Sequence, residues 1–327
     1  MGLILLLTPA FFKSIIKDLQ KVEQELQKYV QTQNKLLSET SRHLLLAGGK
    51  RLRPAFTLLV GKLYNSSLDK LIPLAAALEM IHMATLVHDD VVDKSLTRRG
   101  KPTVKAKWGD SVSLNTGDYL FAKSLIIISD YEDKRIANVL ANVSVQMCQG
   151  EIQQLATAYN TEQGLRDYFY RIKRKTALLI SASTQLGAIA SGASQKDIRA
   201  LKYYGYYLGM AFQITDDILD MTADEKKLGK PVGSDLRQGI ITLPAIFTLK
   251  HTPYGNRLKK LLSEKNKSEQ AIMEAISIIK DSGGIDYSFK IARKYIEKAK
   301  KELEKLPPVK HREVLREIAS FIYKRSY

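Results

Sequence analysis

Cysteine is almost absent from this chain of 327 residues, in which Cys148 is the only one. A single cysteine cannot form an intramolecular disulfide, so a reducing compartment fits best and we expect a cytoplasmic protein. Proline is also scarce: there are nine, and residues 103–230 contain none. Because proline interrupts helices, its absence permits extended helices over most of the chain.

Acidic residues are too few to balance the charge, with 34 Asp and Glu against 51 Lys and Arg and a formal net charge of +17. Such an excess predicts an anionic partner, which can be nucleic acid, an anionic membrane surface or a phosphorylated substrate. The sequence has no zinc-finger spacing, no RNP-like aromatic motif and no basic region leading into heptads. We therefore expect no nucleic-acid partner.

The composition is that of a globular protein with a sizeable core, since 45% of residues are hydrophobic and 26% are charged. The N-terminal segment MGLILLLTPAFF is apolar, but it lacks the basic region and cleavage site of a signal peptide and is too short to span a bilayer. We expect residues 1–10 to form a flexible arm. We also expect Cys148 to pack in the interior.

Apolar residues recur with the period of an α-helix along most of the chain. Helical patterns cover residues 11–46, 54–64, 72–93, 110–129, 133–158, 165–191, 195–221, 240–250, 268–305 and 310–325. The longest irregular stretch, residues 222–239, is rich in glycine and charge, and we expect it to be a mobile loop. The pattern predicts one all-α domain over residues 1–327, an antiparallel helical bundle around a central cavity.

Two clusters of three carboxylates follow the same pattern, D-D-x-x-D, at the end of an apolar helical run. They are Asp89, Asp90 and Asp93, and Asp216, Asp217 and Asp220. Positions i and i+4 share a helix face, so each cluster forms a small cup of carboxylates. One such cluster is commonly a solvated helix end, but two copies are harder to explain in that way. Buried carboxylates need counter-ions, and Mg²⁺ prefers carboxylate, water and phosphate oxygens. The clusters therefore predict magnesium, and magnesium predicts a polyphosphate substrate.

Two groups of basic side chains lie on either side of the first acidic cluster in the sequence. Lys50, Arg51 and Arg53 follow a Gly-Gly pair, and Arg98 and Arg99 follow the first cluster. Arginine suits the oxygens of a phosphate, and lysine adds a more compact charge. Binding through metal and binding through direct cation contact together suggest two diphosphate substrates held at once.

These motifs resemble those of the trans-isoprenyl diphosphate synthases, and the resemblance runs from about residue 40 to 245. The matching stretches are GGKRLRP, LVHDDVVDKSLTRRGKP, GEIQQ, RKT, GMAFQITDDILD and GKPVGSDLRQG. EMIHMATLVHDD and RIKRKTALLI are especially similar to the large catalytic component of bacterial heptaprenyl and hexaprenyl diphosphate synthases. That component works with a small, separately encoded one, so the resemblance implies either a homodimer or a heterodimer with a regulatory component.

The resemblance also implies a role for each matching residue. Magnesium, about three ions per site, would be held by Asp89, Asp90, Asp93, Asp216 and Asp217, with Asp220 completing the second cluster. The allylic diphosphate would be contacted by Arg98, Lys175, Thr176, Gln213 and Lys230. Isopentenyl diphosphate would be bound by Lys50, Arg53, His82 and Arg99. The family often has Lys where Ile240 stands in DLRQGIIT, so one cationic contact to the allylic diphosphate is missing here.

The implied reaction is ionisation of the allylic diphosphate, attack by isopentenyl diphosphate and loss of a proton. We expect a product of about C30–C40 for quinone side chains, and contact with a membrane through that product. Small residues below the first cluster, Ala84 and Thr85, with Ile81 deeper, would leave the product channel open, since each helical turn adds about 5.4 Å of depth. Ala84 packing against a neighbouring helix is the alternative.

Four other functions fit parts of the pattern. A short-chain farnesyl or geranylgeranyl diphosphate synthase would share all the motifs. A terpene cyclase or a head-to-head synthase would leave Lys50, Arg53 and Arg99 unexplained. A non-catalytic subunit that binds diphosphate would be expected to lack an aspartate of either cluster, and both clusters are complete.

Overall fold

The computed structural model describes residues 10–223 and 231–324, and within these ranges the chain is almost entirely helical. The helices are α1 (Ile16–Tyr29), α2 (Lys35–Leu46), α3 (Leu52–Leu63), α4 (Leu68–Val92), α5 (Val104–Ser129), α6 (Lys134–Thr157), α7 (Leu165–Ile172), α8 (Leu178–Ala190), α9 (Gln195–Thr222), α10 (Ser234–Arg237), α11 (Leu243–His251), α12 (Gly255–Ser263), α13 (Glu269–Asp281), α14 (Gly284–Leu303) and α15 (Lys310–Lys324). A 3₁₀ helix (Ala10–Ile15) precedes α1, a π-helical turn (Lys173–Ala177) joins α7 to α8, and two short strands, β1 (Thr97–Arg98) and β2 (Lys101–Pro102), form a hairpin. The predicted all-α architecture is confirmed.

Local capping residues explain where several helices begin. The side chain of Asn34 accepts a hydrogen bond from the N–H of Leu37 at the start of α2, 3.1 Å away. Thr103 caps α5 in the same way through the N–H of Ala106. Such caps pair N–H groups that have no partner inside the helix. The cap at Asn34 divides the predicted segment 11–46 into two helices.

Glycines with positive φ account for two differences between the predicted and observed helices. Gly283, with φ of 82°, separates α13 from α14, so the predicted helix over 268–305 is two helices. Gly109, with φ of 83°, bends α5 near its start, which lies before the predicted residue 110. Such backbone angles suit glycine because it has no Cβ. The β1–β2 hairpin and the helix α12 were not predicted.

Helix α4 carries the first acidic cluster and is buried on nearly every side. It packs along α5 and against α1 and α3. By length and composition alone it could cross a membrane, but 67% of that apolar window is buried inside the protein, as expected of a core helix. Thus the end of α4 is held in place by packing on several sides.

The described residues fall into two compact units. The first contains residues 10–141, 182–202 and 306–315, and the second contains the remaining described residues from 142 to 324. In the second unit, side chains such as Tyr168, Ile214, Leu236 and Ile246 form a continuous apolar core. The prediction of a single domain stays a prediction. The expected burial of Cys148 is wrong, because it is exposed on α6.

Candidate active site

The first acidic cluster lies at the C-terminal end of α4, and its three carboxylates are not equivalent. Asp90 is only 2% exposed, and its Oδ1 accepts a hydrogen bond from Nε of Arg98 at 2.9 Å and forms an ion pair with Nη2 of the same guanidinium at 2.8 Å. Burial raises the pKa of Asp90, and the bonds from Arg98 oppose that rise. Asp89 and Asp93 are half-buried. One carboxylate therefore points inward to an arginine, and two lie nearer the surface.

The β1–β2 hairpin places Arg98 against Asp90. Thr97 pairs with Pro102, and the turn between the strands has positive φ at Arg99 (53°) and Gly100 (73°). Two successive residues with positive φ characterise tight hairpin turns. Below the turn, the Thr103 hydroxyl donates a hydrogen bond to the carbonyl of Ser95 at 2.8 Å. The hairpin thus turns the chain back, so that the side chain of Arg98 contacts α4, the helix that precedes the hairpin.

A cluster of cations surrounds the Gly-Gly turn that precedes α3. A Cβ built on Gly49 would lie 2.7 Å from Nη1 of Arg99 and 3.1 Å from Nη1 of Arg51, so both guanidinium groups lie close to the backbone of Gly49, whose φ is 152°. Burial lowers the pKa of Arg53 to about 10, against the opposing effect of Glu79. Several like charges are therefore concentrated where an anion would be strongly attracted.

His82 lies one turn after Glu79 on α4 and faces this cationic cluster. Burial, followed by the charges of Arg53, Arg99, Arg98 and Arg51, lowers its pKa well below the usual value. The imidazole is therefore neutral at physiological pH, and one of its nitrogens is a hydrogen-bond donor. A neutral donor beside several guanidinium groups is suited to a diphosphate.

The second acidic cluster, at the end of α9, contacts neutral partners. Asp217 is 3% exposed and accepts hydrogen bonds from the Tyr168 hydroxyl at 2.6 Å and from Nε2 of Gln213 at 2.8 Å. The Thr176 hydroxyl donates to Oε1 of the same Gln213 at 2.6 Å. Burial raises the pKa of Asp217 to about 6, although the bonds from Tyr168 and Gln213 lower it. Three of the residues predicted to act here thus form one chain of hydrogen bonds.

Lys175 and Thr176 lie on the π-helical turn, a rare conformation that recurs at functional sites. Nζ of Lys175 forms an ion pair with Oε2 of Glu151 on α6 at 2.6 Å. A Cβ at Gly150 would lie 2.6 Å from Cβ of Arg174, and glycine there lets α6 pack closely on this turn. In the GEIQQ motif, Gly150 thereby allows α6 to pack closely on the π-helical turn, and Glu151 supplies the carboxylate that orients Lys175.

Comparison with known proteins assigns the chain to a family. The model of the polyprenyl synthetase family matches residues 34–279. This chain belongs to the polyprenyl synthetase family. It is 47% identical over 310 residues to heptaprenyl diphosphate synthase component 2 of Bacillus subtilis (strain 168), covering 95% of this chain and 88% of that protein. The predicted membership, the isoprenoid synthase fold and the activity of a chain-elongating prenyltransferase are confirmed.

Solved structures agree with this assignment. The chain is similar to the crystal structure of heptaprenyl diphosphate synthase from Staphylococcus aureus, with 39% identity, a TM-score of 0.90, and coverage of 95% of this chain and 98% of that one. It is also similar to a polyprenyl synthase from Caulobacter crescentus CB15 complexed with calcium and isoprenyl diphosphate. For that pair the identity is 33%, the TM-score is 0.92 and 97% of each chain is covered.

The residues of this polyprenyl synthetase suit a magnesium ion. Within residues 10–223 and 231–324, no three His, Cys, Asp or Glu side chains form a ready-made metal cage. Mg²⁺ is usually bound through one or two carboxylates together with water and substrate phosphates. Each cluster offers that donor set, with one buried aspartate (Asp90 or Asp217) and a half-buried neighbour (Asp89 or Asp216).

Asp220 differs from the other predicted metal ligands. It is 1% exposed, and its Oδ2 accepts a hydrogen bond from the N–H of Asp235 at 3.1 Å, while its carbonyl accepts one from Gly233 at 2.8 Å. These contacts anchor the chain that leads into α10. Metal binding by Asp220 stays a prediction, whereas its structural contact is observed.

The predicted mobile loop 222–239 is only partly described. Its last part contains α10, where Leu236 is buried and the guanidinium of Arg237 bonds both carboxylate oxygens of Glu269 at 2.6 and 2.7 Å. This part is therefore a short, anchored helix rather than irregular chain. Residues 224–230, including the predicted phosphate contact Lys230, lie outside the described residues.

The predicted chain-length residues lie along α4, as expected from their spacing. Ile81 and Ala84 are buried, and Thr85 is half-buried with its hydroxyl bonded to the carbonyl of His82 at 2.8 Å. Thr85 is thus the more accessible of the two small residues nearest the first cluster. Control of product length by these residues stays a prediction.

Sequence reasoning did not single out three side chains that contact the predicted residues. They are Tyr168, which bonds Asp217, Glu151, which pairs with Lys175, and Glu79, which pairs with Arg51 at 3.1 Å. Glu79 had a usable signal, because it is the only charged residue of α4 between Lys70 and Asp89. Tyr168 had none, because nothing in the pattern relates it to a residue 49 positions away.

Proposed function

We propose that this chain condenses isopentenyl diphosphate with farnesyl or geranylgeranyl diphosphate and repeats the addition to about C30–C40. The product would be an all-trans polyprenyl diphosphate for quinone side chains, made in the cytoplasm. The observation that carries the proposal is the presence of two different diphosphate-binding chemistries. Carboxylate pairs suited to magnesium end α4 and α9, and a metal-free cationic cluster surrounds Gly49.

The allylic substrate is bound through its diphosphate. Asp89, Asp90, Asp93, Asp216 and Asp217 would hold magnesium, about three ions, and the bound metal would supply positive charge that stabilises the departing pyrophosphate. Lys175, Thr176 and Gln213 contact the same diphosphate directly, and Glu151 orients the lysine. Arg98 opposes the rise that burial causes in the pKa of Asp90, and we expect it to contact the same diphosphate. These fixed charges favour breaking the allylic C–O bond because they bind the separated charge better than the intact ester.

Isopentenyl diphosphate is bound without metal by Lys50, Arg53, Arg99 and the neutral His82. Its double bond attacks the allylic carbocation, which forms the new carbon–carbon bond. The proton then lost from C2 goes to the released pyrophosphate. Holding both substrates by fixed groups converts the encounter into a step within one complex.

We further propose that the enzyme works as a complex with a small second component. The B. subtilis relative is named component 2, which indicates a partner component for that protein. In this chain, α6 exposes an apolar row at heptad spacing, made of Val145, Cys148, Ile152 and Leu155. Ile152 alone is 65% exposed. Such a row at the a and d positions suits a partner helix.

Replacing Ile152 by lysine should weaken the complex by about 10- to 100-fold, because a charge would be buried in its apolar seam. Light scattering after size-exclusion chromatography of the co-expressed small component and this chain would measure that loss. Lys28→Glu, on the exposed part of α1, is the control. A dimer of this chain alone that Ile152→Lys dissociates would assign the row to a second copy instead.

The activity is tested with purified chain, Mg²⁺, farnesyl diphosphate and radiolabelled isopentenyl diphosphate, followed by chromatography of the dephosphorylated products. The assay is run with and without the small component. A ladder ending at a long polyprenol is the expected result. A single short product would favour the short-chain synthase, and no incorporation in either assay would overturn the proposal.

A further inference from the structure

Glu79 is a buried carboxylate in the middle of α4, a long and largely apolar helix. It is 2% exposed, and its Oε1 accepts a hydrogen bond from Nη1 of Arg51 at 3.1 Å. Its Oε2 is buried and has no hydrogen-bond partner among residues 10–223 and 231–324. An ionised carboxylate in such a place is costly unless cations surround it. Its position therefore calls for an explanation beyond packing.

Arg51 holds the turn before α3 together through several contacts. Its guanidinium also bonds Oε2 and Oε1 of Glu23 at 2.9 and 3.2 Å and the carbonyl of Leu45 at 3.1 Å. Its own φ is 49°, in the left-handed region that non-glycine residues rarely adopt because of steric strain. The two carboxylates, one on α1 and one on α4, therefore maintain a conformation that the chain would otherwise avoid.

This turn carries the cations that face the proposed isopentenyl diphosphate. Lys50 directly precedes Arg51, and Arg53 follows it within the first turn of α3. At Gly49 the guanidinium of Arg99 approaches the same backbone as that of Arg51. A shift of Arg51 would therefore move the neighbours on both sides of it.

Glu79 also offsets the mutual repulsion of these cations. Its charge raises the pKa of both Arg53 and Arg99, against the lowering by burial and by neighbouring arginines. Nε of Arg53, like Oε2 of Glu79, is buried with no hydrogen-bond partner in the described part of the chain. The carboxylate thus acts on the whole group of cations and not on Arg51 alone.

We propose that Glu79 is a positioning residue whose carboxylate, through Arg51, keeps the Lys50–Arg53 turn in the arrangement that binds the diphosphate of the homoallylic substrate. This role rests on the proposed function, since the substrate of the cationic cluster is isopentenyl diphosphate. Glu79 touches no substrate itself. It acts on the metal-free binding site and leaves the ionisation step at the carboxylate clusters unchanged.

The test is Glu79→Gln, which keeps the shape of the side chain and removes its charge. KM for isopentenyl diphosphate should rise about tenfold, with kcat and KM for the allylic substrate within about twofold. Calorimetric titration of isopentenyl diphosphate into the metal-free protein should show the same loss of affinity. If KM for isopentenyl diphosphate falls instead, the charge of Glu79 competes with the substrate diphosphate for the cations, and the positioning role is overturned.

Three further variants keep the test decisive. Glu23→Gln removes the charge of the more exposed of the two carboxylates that pair with Arg51. It should raise KM for isopentenyl diphosphate by a smaller factor, about threefold. Arg51→Lys keeps the charge but cannot bridge two carboxylates, and it should match Glu79→Gln. Glu25→Gln, in an exposed pair with Lys28 on the same helix as Glu23, should change nothing. If Glu79→Gln does not fold, Arg51→Lys and Glu23→Gln decide, and unchanged KM in both overturns the proposal.

Failure of this proposal is distinguishable from failure of the proposed function. The wild-type protein is measured first for incorporation of isopentenyl diphosphate and for its binding without metal. Absence of both would overturn the proposed function. Normal incorporation by the wild type together with an unchanged KM in Glu79→Gln would overturn only the positioning role.

Discussion

The two D-D-x-x-D clusters are alike in sequence and different in their surroundings. At the end of α4, the buried Asp90 is held by the guanidinium of Arg98 through a hydrogen bond from Nε and an ion pair with Nη2. At the end of α9, the buried Asp217 is held by Tyr168 and Gln213, which carry no charge. The pattern therefore fixes where the carboxylates stand on their helices, and the partners decide how firmly each one keeps its charge.

The third aspartates separate the clusters further. Asp93 is half-buried and ends α4, with its N–H bonded to the carbonyl of Asp89 at 2.8 Å. Asp220 is buried and bonds the backbone of Asp235. The first cluster thus has a third carboxylate near the surface, while the second uses its third carboxylate to anchor a neighbouring segment. The repeated motif predicts two equivalent clusters, and the structure shows carboxylates with unequal surroundings.

The largest expected effect comes from removing the buried carboxylate of either cluster. Asp90→Ala and Asp217→Ala should each lower turnover by about a thousandfold or more, because each removes charge that holds magnesium at the departing pyrophosphate. Steady-state assays at saturating Mg²⁺ measure this, with circular dichroism to check that the helices are intact. Near-normal turnover in a folded variant would contradict the metal assignment for that cluster.

Arg98→Gln should have the next largest effect, and of the two clusters it acts on the first. It would leave Asp90 buried without its cationic partner, so the pKa of Asp90 rises and its affinity for Mg²⁺ falls. We expect a loss of about 10- to 100-fold in kcat/KM for the allylic substrate. Arg98→Lys is the matched control and should lose less, since it restores the charge without the two-nitrogen contact. Equal losses in both variants would mean that shape, and not charge, is what Arg98 supplies.

Much of the fold could be predicted because its strongest signals are local. The apolar period located most helices, and the repeated aspartates located the two clusters. The errors have local causes as well, such as positive φ at Gly109 and Gly283, which the apolar period does not reveal. Cys148 was wrongly assigned to the interior because apolar neighbours at heptad spacing occur in a core and in an exposed row alike.

The partners of the site residues could not be predicted, because they come from distant parts of the chain. Tyr168 reaches Asp217 across 49 residues, and Arg51 reaches both Glu23 and Glu79 across 28. Only packing decides which of many polar residues meet. The neutral partners of the second cluster are therefore revealed only by the structure, and one of them, Tyr168, can be tested by substitution.

Tyr168→Phe should have the smallest effect, and the effect should depend on pH. The Tyr168 hydroxyl lowers the pKa of Asp217, which burial has raised from 3.8 to about 6. Without that bond the pKa rises further, so a larger fraction of Asp217 is protonated and unable to bind metal near neutral pH. We expect kcat/KM to fall about threefold at pH 8 and about tenfold at pH 6. The acidic side of the pH profile should move to higher pH.

The same shift predicts the stability of the metal-free protein. Because the pKa of Asp217 is higher in the folded than in the unfolded state, the folded state binds the proton more tightly, and stability from this group is lost as pH rises through about 6. Thermal unfolding between about pH 4 and pH 8 should show that loss, and Tyr168→Phe should move it to higher pH.

Tyr170→Phe, two residues along on the exposed side of α7, is the control. An equal loss of activity at every pH in Tyr168→Phe would show that the hydroxyl supports packing and leaves the charge of Asp217 unchanged.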